Sequence, residues 1–297
     1  MTWLAIVTAL VIGALLVDHG LTKLYQNQKQ PHQTTPAVWN IAFREIHFPT
    51  KNACQLYGWW IPSQNDRTEP ASTLIRVHGW GRNVERMLPY IQNLHPKGYN
   101  LLAFDARNHG SSDSDRFSSL LKFAEDIRAA LDFVEKQENV DASRIGVLGL
   151  SVGGAAAIYA AAHDRRLNSV VTVGAFAHPA DVMRLEFGRR HLPYFPLVWL
   201  MFKYIQFKIG ATFEQIAPVN NIPKTRAKIL LVHGDQDAVV PVAQAEKLEE
   251  AGNPGRIVLW RMEDKGHSDC HLHPEFWQKV DSFLRGTWDN EQVATQI

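Results

Sequence analysis

Cysteine is scarce in this sequence: Cys54 and Cys270 are the only two in 297 residues. That count rules out a disulfide-built scaffold and a four-thiolate zinc site. A single bridge between the two stays open, because separation along the chain says nothing about distance in space. Excess charge is lacking too. A formal net charge of +1 gives no field that would draw nucleic acid, and no basic run is interleaved with aromatics. Internal repeats and low-complexity tracts are absent, which excludes solenoids and arrays. What remains is ordinary globular material, 45% apolar, 10% aromatic and 21% charged, enough to cover both faces of a sheet.

One long apolar run stands out, Trp3 to Val17, uncharged and closed by Asp18, His19 and Gly20. It has neither the basic residue that precedes a secretory signal's apolar stretch nor the small-x-small cleavage site that follows one. The expectation is therefore an uncleaved N-terminal membrane anchor within residues 1–25. As a helix, Trp3 to Val17 rises only about 22 Å, short of a hydrocarbon core of roughly 30 Å unless Leu21 and Leu24 extend it. A helix packed on the domain surface is the alternative. Lys23, Lys29 and Arg44 follow the run, which by the positive-inside tendency puts the rest of the chain on the cytoplasmic side. Residues 26–40, rich in Gln, Thr and Pro, read as a linker.

Beyond the linker, Ile41 to Phe48 and Gln55 to Ile61 flank a polar Lys51-Asn52 turn and predict an antiparallel hairpin at a sheet edge. Six short runs rich in β-branched residues follow: Ser72 to Val77, Asn100 to Phe104, Arg144 to Leu150, Ser169 to Val173, Lys228 to Val232 and Arg256 to Met262. Between them lie segments of helical spacing, clearest from Phe117 to Val134. Alternation of strand and helix demands crossovers. The fold class is α/β, a mostly parallel twisted sheet with an antiparallel N-terminal hairpin and helices on both faces, with ligands at the C-terminal strand ends.

Four motifs fall at such ends. Gly149-Leu150-Ser151-Val152-Gly153 is a G-x-S-x-G between strand and helix, where a strained turn presents a serine hydroxyl. A hydroxyl needs a base to lose its proton, so the motif demands partners elsewhere. His78-Gly79-Trp80-Gly81 offers backbone amides, and those of Trp80 and Val152 form a candidate oxyanion hole. His78 itself reads as a structural histidine. After a further strand comes His233-Gly234-Asp235-Gln236-Asp237, with two carboxylates able to orient an imidazole. Gly266-His267-Ser268-Asp269 supplies that imidazole. The tract His267, Cys270, His271, His273 could also ligate a metal, but its spacings lack an ordinary zinc-site pattern, and no metal or cofactor is expected.

The order Ser, Asp, His differs from that of chymotrypsin and subtilisin, and residues from about Ile41 to Trp288 resemble the α/β-hydrolase superfamily, particularly its small esterase-like and peptidase-like members. The resemblance implies a hydrolase domain over 41–288, a cap insertion over about 176–223, and a tail over 289–297. It favours Asp237, just before Val240-Pro241, over Asp235 as the acid. Phe104 to Ser112 looks like the family's loop after the second parallel strand, with a structural role for Asp105, Arg107 and His109. The cap's Phe187, Tyr194, Phe195, Trp199, Phe202, Tyr204 and Phe207 would either line an acyl pocket or form the cap's own core.

The implied activity is hydrolysis of a carboxylic ester or thioester by Ser151, His267 and Asp237 through an acyl-enzyme. Its partner would be a small acyl substrate, including one derived from lipid. A peptidase or amidase, and an acyltransferase, fit the same residues. A catalytically silent binding protein is the rival outside enzymology.

Overall fold

In a computed structural model describing residues 2–24, 29–64 and 69–294, eight strands form one sheet. They are β1 (Arg44–Pro49), β2 (Gln55–Ile61), β3 (Ala71–Val77), β4 (Asn100–Phe104), β5 (Val140–Leu150), β6 (Ser169–Val173), β7 (Lys228–Gly234) and β8 (Ile257–Met262). Their order is β1-β2-β4-β3-β5-β6-β7-β8. β1 and β2 form the expected edge hairpin, and β2 also runs antiparallel to β4; every later pairing is parallel.

The helices are α1 (Thr2–Leu24), α2 (Leu88–Leu94), α3 (Leu120–Val134), α4 (Val152–His163), α5 (Pro179–Arg189), α6 (Trp199–Ile209), the one-turn α7 (Phe213–Ile216) and α8 (Pro218–Asn221), α9 (Ala243–Ala251) and α10 (Phe276–Ala294). Period-two alternation sends neighbouring side chains of a strand to opposite faces. Ile75 and Val77 of β3 thus pack with α3 and α4, whereas Leu74 packs with α2 and α10. The helical pattern begins at Phe117, but α3 starts at Leu120, because the Ser119 side chain accepts the Lys122 amide and caps the first turn.

Three segments refine the sequence expectation. First, α1 continues through Leu24, so its 23 residues rise about 34 Å. Its window Trp3–Gly20 has mean hydropathy 1.8, long and apolar enough to cross a membrane by length and composition, and none of it is buried. Second, residues 29–40, the described part of the expected linker, dock on the body. Gln33 N donates to Glu85 Oε2 at 3.0 Å, Asn83 Nδ2 donates to the Gln30 carbonyl at 3.1 Å, and His32 stacks on Tyr57 at 5.0 Å. This strap crosses the hairpin side of the sheet; Gln26 to Gln28 lie outside the described residues. Third, of the interval 176–223 only α5 and α6 stand out from the body, since α8 packs against α4 and α9. At the other end, α10 runs on through the expected tail to Ala294.

Candidate active site

Ser151 sits between β5 and α4 with φ 52° and ψ −120°, a left-handed conformation rare for a residue with a Cβ. The strain is held from both sides. Ser151 N donates to the Val173 carbonyl at 2.8 Å, and Ala155 N to the Ser151 carbonyl at 3.0 Å. Small neighbours allow the turn: a Cβ on Gly153 would lie 2.6 Å from the His78 carbonyl oxygen.

His267, on the loop after β8, has its Nδ1 2.6 Å from Asp237 Oδ2. Asp237 is buried whereas Asp235 is exposed, so the structure sets Asp237 and not Asp235 against the imidazole. Burial would raise the Asp237 carboxyl's pKa. Hydrogen bonds from His233, His267 and the Val240 amide outweigh it and hold the group well below the usual carboxylate range. Val239 N and Val240 N each donate to Oδ1 at 2.8 Å. With Nδ1 engaged, Nε2 of His267 is left to handle a proton.

Ser151 and His267 line one cavity of about 210 Å³, together with Gly79, Trp80, Arg82, Arg86, Tyr90 and Val239 among others. Val152 opens α4, so its amide has no intrahelical carbonyl to donate to. The Trp80 amide has no backbone acceptor among the described residues. The loop carrying it is fixed by histidines: His78 Nδ1 donates to the Gly79 carbonyl at 2.7 Å and its Nε2 accepts the Ala106 amide at 3.0 Å. Gly81 N donates to His109 Nε2 at 3.3 Å. Burial, and then the neighbouring His78, push His109 down to about 3, so it stays a neutral acceptor.

Sequence reasoning missed three features. His233 is buried with Nε2 2.7 Å from the Val240 carbonyl and 3.4 Å from Asp237 Oδ2, a second imidazole on the acid. Gly174, at φ 67°, leaves space for His267: a Cβ there would lie 2.9 Å from Nδ1. Its only signal was its place at the end of β6. His32 reaches in from the strap, with Nε2 2.8 Å from Asp105 Oδ2. Asp105 in turn accepts the Val84 amide at 2.6 Å and the Ser111 amide at 2.8 Å, so it braces the turn after Gly81. Arg107 is occupied by Asp126, at 2.7 Å, and by Glu125.

Other candidates disperse. Cys54 and Cys270 are both free and buried. Among the described residues no group of three or more His, Cys, Asp and Glu is placed to hold a metal; His271 lies by Tyr90 and His273 by Trp260. Of the seven cap aromatics, none lines the Ser151 cavity. Phe187 and Phe202 enter the core, whereas Tyr194, Phe195, Trp199 and Phe207 are exposed. Phe187 and Tyr194 border a separate cavity of about 400 Å³ within the cap.

A family model described as "Serine aminopeptidase, S33" matches residues 68–206, a stretch that holds Trp80, Ser151 and Val152 and ends before Asp237 and His267. The uncharacterised protein YfhR of Salmonella typhimurium is 28% identical over 238 residues, covering 79% of this chain and 76% of that protein. The uncharacterised Rv2307c of Mycobacterium tuberculosis is 29% identical over 232 residues, 78% of this chain and 74% of its own. Among solved structures, the esterase Pf2001 of Pyrococcus furiosus superposes with a TM-score of 0.70 at 25% identity, over 87% of this chain and 98% of that one. Sheet order, motif placement and these likenesses agree on an α/β-hydrolase fold, and together they support the α/β-hydrolase superfamily and hydrolase activity for this chain.

Proposed function

We propose that the protein is a serine hydrolase that cleaves a carboxylic ester or thioester, held to a membrane by α1. One observation carries the reading: the strained Ser151 shares a cavity with His267, whose Nδ1 is bonded to a buried aspartate. Ser151 Oγ attacks the acyl carbon while its proton passes to His267 Nε2. The amides of Trp80 and Val152 hold the oxyanion. As the tetrahedral intermediate collapses, His267 returns the proton to the departing alkoxide or thiolate and an acyl-serine remains. Water then attacks, giving its proton to His267; the free acid leaves and Ser151 recovers its hydrogen.

A second reading is peptide or amide cleavage, favoured by the description of the family model. An aminopeptidase needs an anion near the nucleophile to hold the substrate's terminal ammonium. Among the described residues the cavity is lined by two arginines, Arg82 and Arg86, and by no carboxylate. That lining suits a neutral or anionic ester better. Orientation by Lys23, Lys29 and Arg44 puts the catalytic domain on the cytoplasmic side.

A fluorophosphonate probe tests the enzyme. Wild type should take the label and Ser151→Ala should not; an unlabelled wild type sinks the hydrolase reading, and an undiminished label on the variant sinks the serine. Esters of graded acyl length assayed beside aminoacyl amides then separate the two substrate classes.

A further inference from the structure

Tyr194, Phe195, Trp199 and Phe207 of the cap are exposed, and α1 meets the helix α6 that follows or carries them. Tyr204 Oη and Lys208 Nζ, both on α6, bond Asp18 of α1, the lysine at 2.7 Å. Asp18 stands near the end of the apolar window, which closes at Gly20. A span that crosses the bilayer therefore brings Asp18, and the α6 side chains that hold it, to the depth of the lipid headgroups.

Helix geometry then decides what else lies at that depth. At 100° per residue, Phe207 stands about 20° from Leu200 on one side of α6, while Tyr204 and Lys208 stand about 40° and 80° away on the other. Leu200 is 54% exposed and Phe207 82%, and Phe195, just before the helix, is 72% exposed. Leu200 and Phe207 form an apolar ridge that borders the α1 attachment, and Phe195 sits by Trp199 at the start of the helix, ring centres 6.0 Å apart. Lys203 flanks the ridge, with its ammonium 5.8 Å from the Trp199 ring centre. From Pro179 to Ile209 the chain carries five basic residues, Arg184, Arg189, Arg190, Lys203 and Lys208, against two acidic ones, Asp181 and Glu186. A chain almost neutral overall thus gathers positive charge on this unit.

We infer that the outer face of α6, with Leu200, Phe207 and the preceding Phe195, is a membrane-contact surface that beds into an anionic leaflet beside α1. Apolar side chains ringed by aromatics and basic groups are what the boundary between headgroups and acyl chains accepts. The inference rests on the reading of α1 as a span and commits to a bilayer as the occupant. It gives the cap a role apart from the Ser151 cavity, which none of its aromatics lines: it fixes the domain's tilt, so that the catalytic cavity is held at the lipid surface and not free to swing on a tether.

The test uses the full chain in vesicles of mixed zwitterionic and anionic phospholipid. Because the two native thiols are buried, a nitroxide can be placed at Phe207→Cys, with Val258→Cys on the β8 edge as the aqueous reference. Co-sedimentation with vesicles reads the anchor, and collision rates with oxygen and a water-soluble nickel chelate read the depth. Severalfold more oxygen and less chelate access at 207 than at 258 is the expected result. Equal access at both sites in a chain that does sediment overturns the membrane-contact surface and leaves the anchor standing. Spin–spin broadening at 207 means that a second copy covers the ridge, and overturns it too. A chain that stays in the supernatant removes the anchor and the inference together. Fluorophosphonate labelling of the same samples reports Ser151 separately from all three.

Discussion

Asp237 has a task that asparagine cannot perform. Its carboxylate accepts two backbone amides on Oδ1 and the imidazole on Oδ2. Asp237→Asn keeps the volume but can donate a proton towards Nδ1, which turns the imidazole to the wrong tautomer. Turnover should fall by about 10⁴ while the fold is kept, read as kcat on a soluble ester beside a circular-dichroism melt. Asp235→Asn, at an exposed position, should change turnover little. Arg76 poses the opposite case. It is fully buried in β3, and none of its three guanidinium nitrogens has a hydrogen-bond partner among the described residues. An unpaired buried charge costs more than an apolar chain of similar reach, so Arg76→Met should raise stability by about 1–4 kcal/mol in urea titration. Unchanged or lower stability would mean the arginine has a partner in solution. The serine motif was legible because its geometry is local; His233 and Gly174 were not, since only folding brings them against Asp237 and His267.

The strap is the element about whose docking the sequence says least. Gln, Thr and Pro between 26 and 40 read as linker by composition, yet Pro31, Thr34 and their neighbours are pinned by side chains of the turn after β3. Its ion pair is pH-sensitive. Burial lowers the His32 pKa, but the bond to Asp105 together with the negative charges of Asp105, Glu85 and Glu45 outweighs this and leaves it raised. A raised pKa in the folded state means the stabilisation is complete below the unfolded value of about 6.5 and fades as pH rises through the folded one. The urea midpoint of wild type should therefore exceed that of His32→Gln at pH 5.5 by more than at pH 9. The difference at low pH should be on the order of 1 kcal/mol, with the stacking on Tyr57 lost in the variant at both. An equal gap at the two pH values would show that His32 acts by packing alone. The strands, by contrast, were legible, because burial on both faces leaves runs of Val, Ile and Leu that little else explains, although β1 begins three residues after its expected start and β5 four residues before.

At the scale of the molecule, a folded hydrolase body and an exposed apolar helix are joined through the strap and through Asp18. A chain beginning at Gln28 should remain in the soluble fraction, whereas the full chain pellets with membranes; equal partition would refute the anchor. The shortened chain should keep its activity on a short soluble ester, because the β-sheet and all residues around Ser151 lie outside α1. The cap divides the same way. Phe187 and Phe202 serve its junction with the body, while Phe195 and Phe207 face outward, a partition that neither expectation for these aromatics contained.

By itself the sequence determined the layering of helices on a mostly parallel sheet, the turn that carries Ser151, and the apolar run at the N-terminus, because each is written in the spacing of neighbouring residues. The tertiary structure decided which aspartate meets His267, that a histidine from the strap braces the turn beside Trp80, and which cap aromatics are left outside. These depend on loops that end several strands and on a strap docked across the hairpin. The physical reason is that hydrophobic periodicity encodes the face a residue turns to its own sheet or helix, whereas contacts between distant loops are fixed only when the packed core sets the distances between their ends.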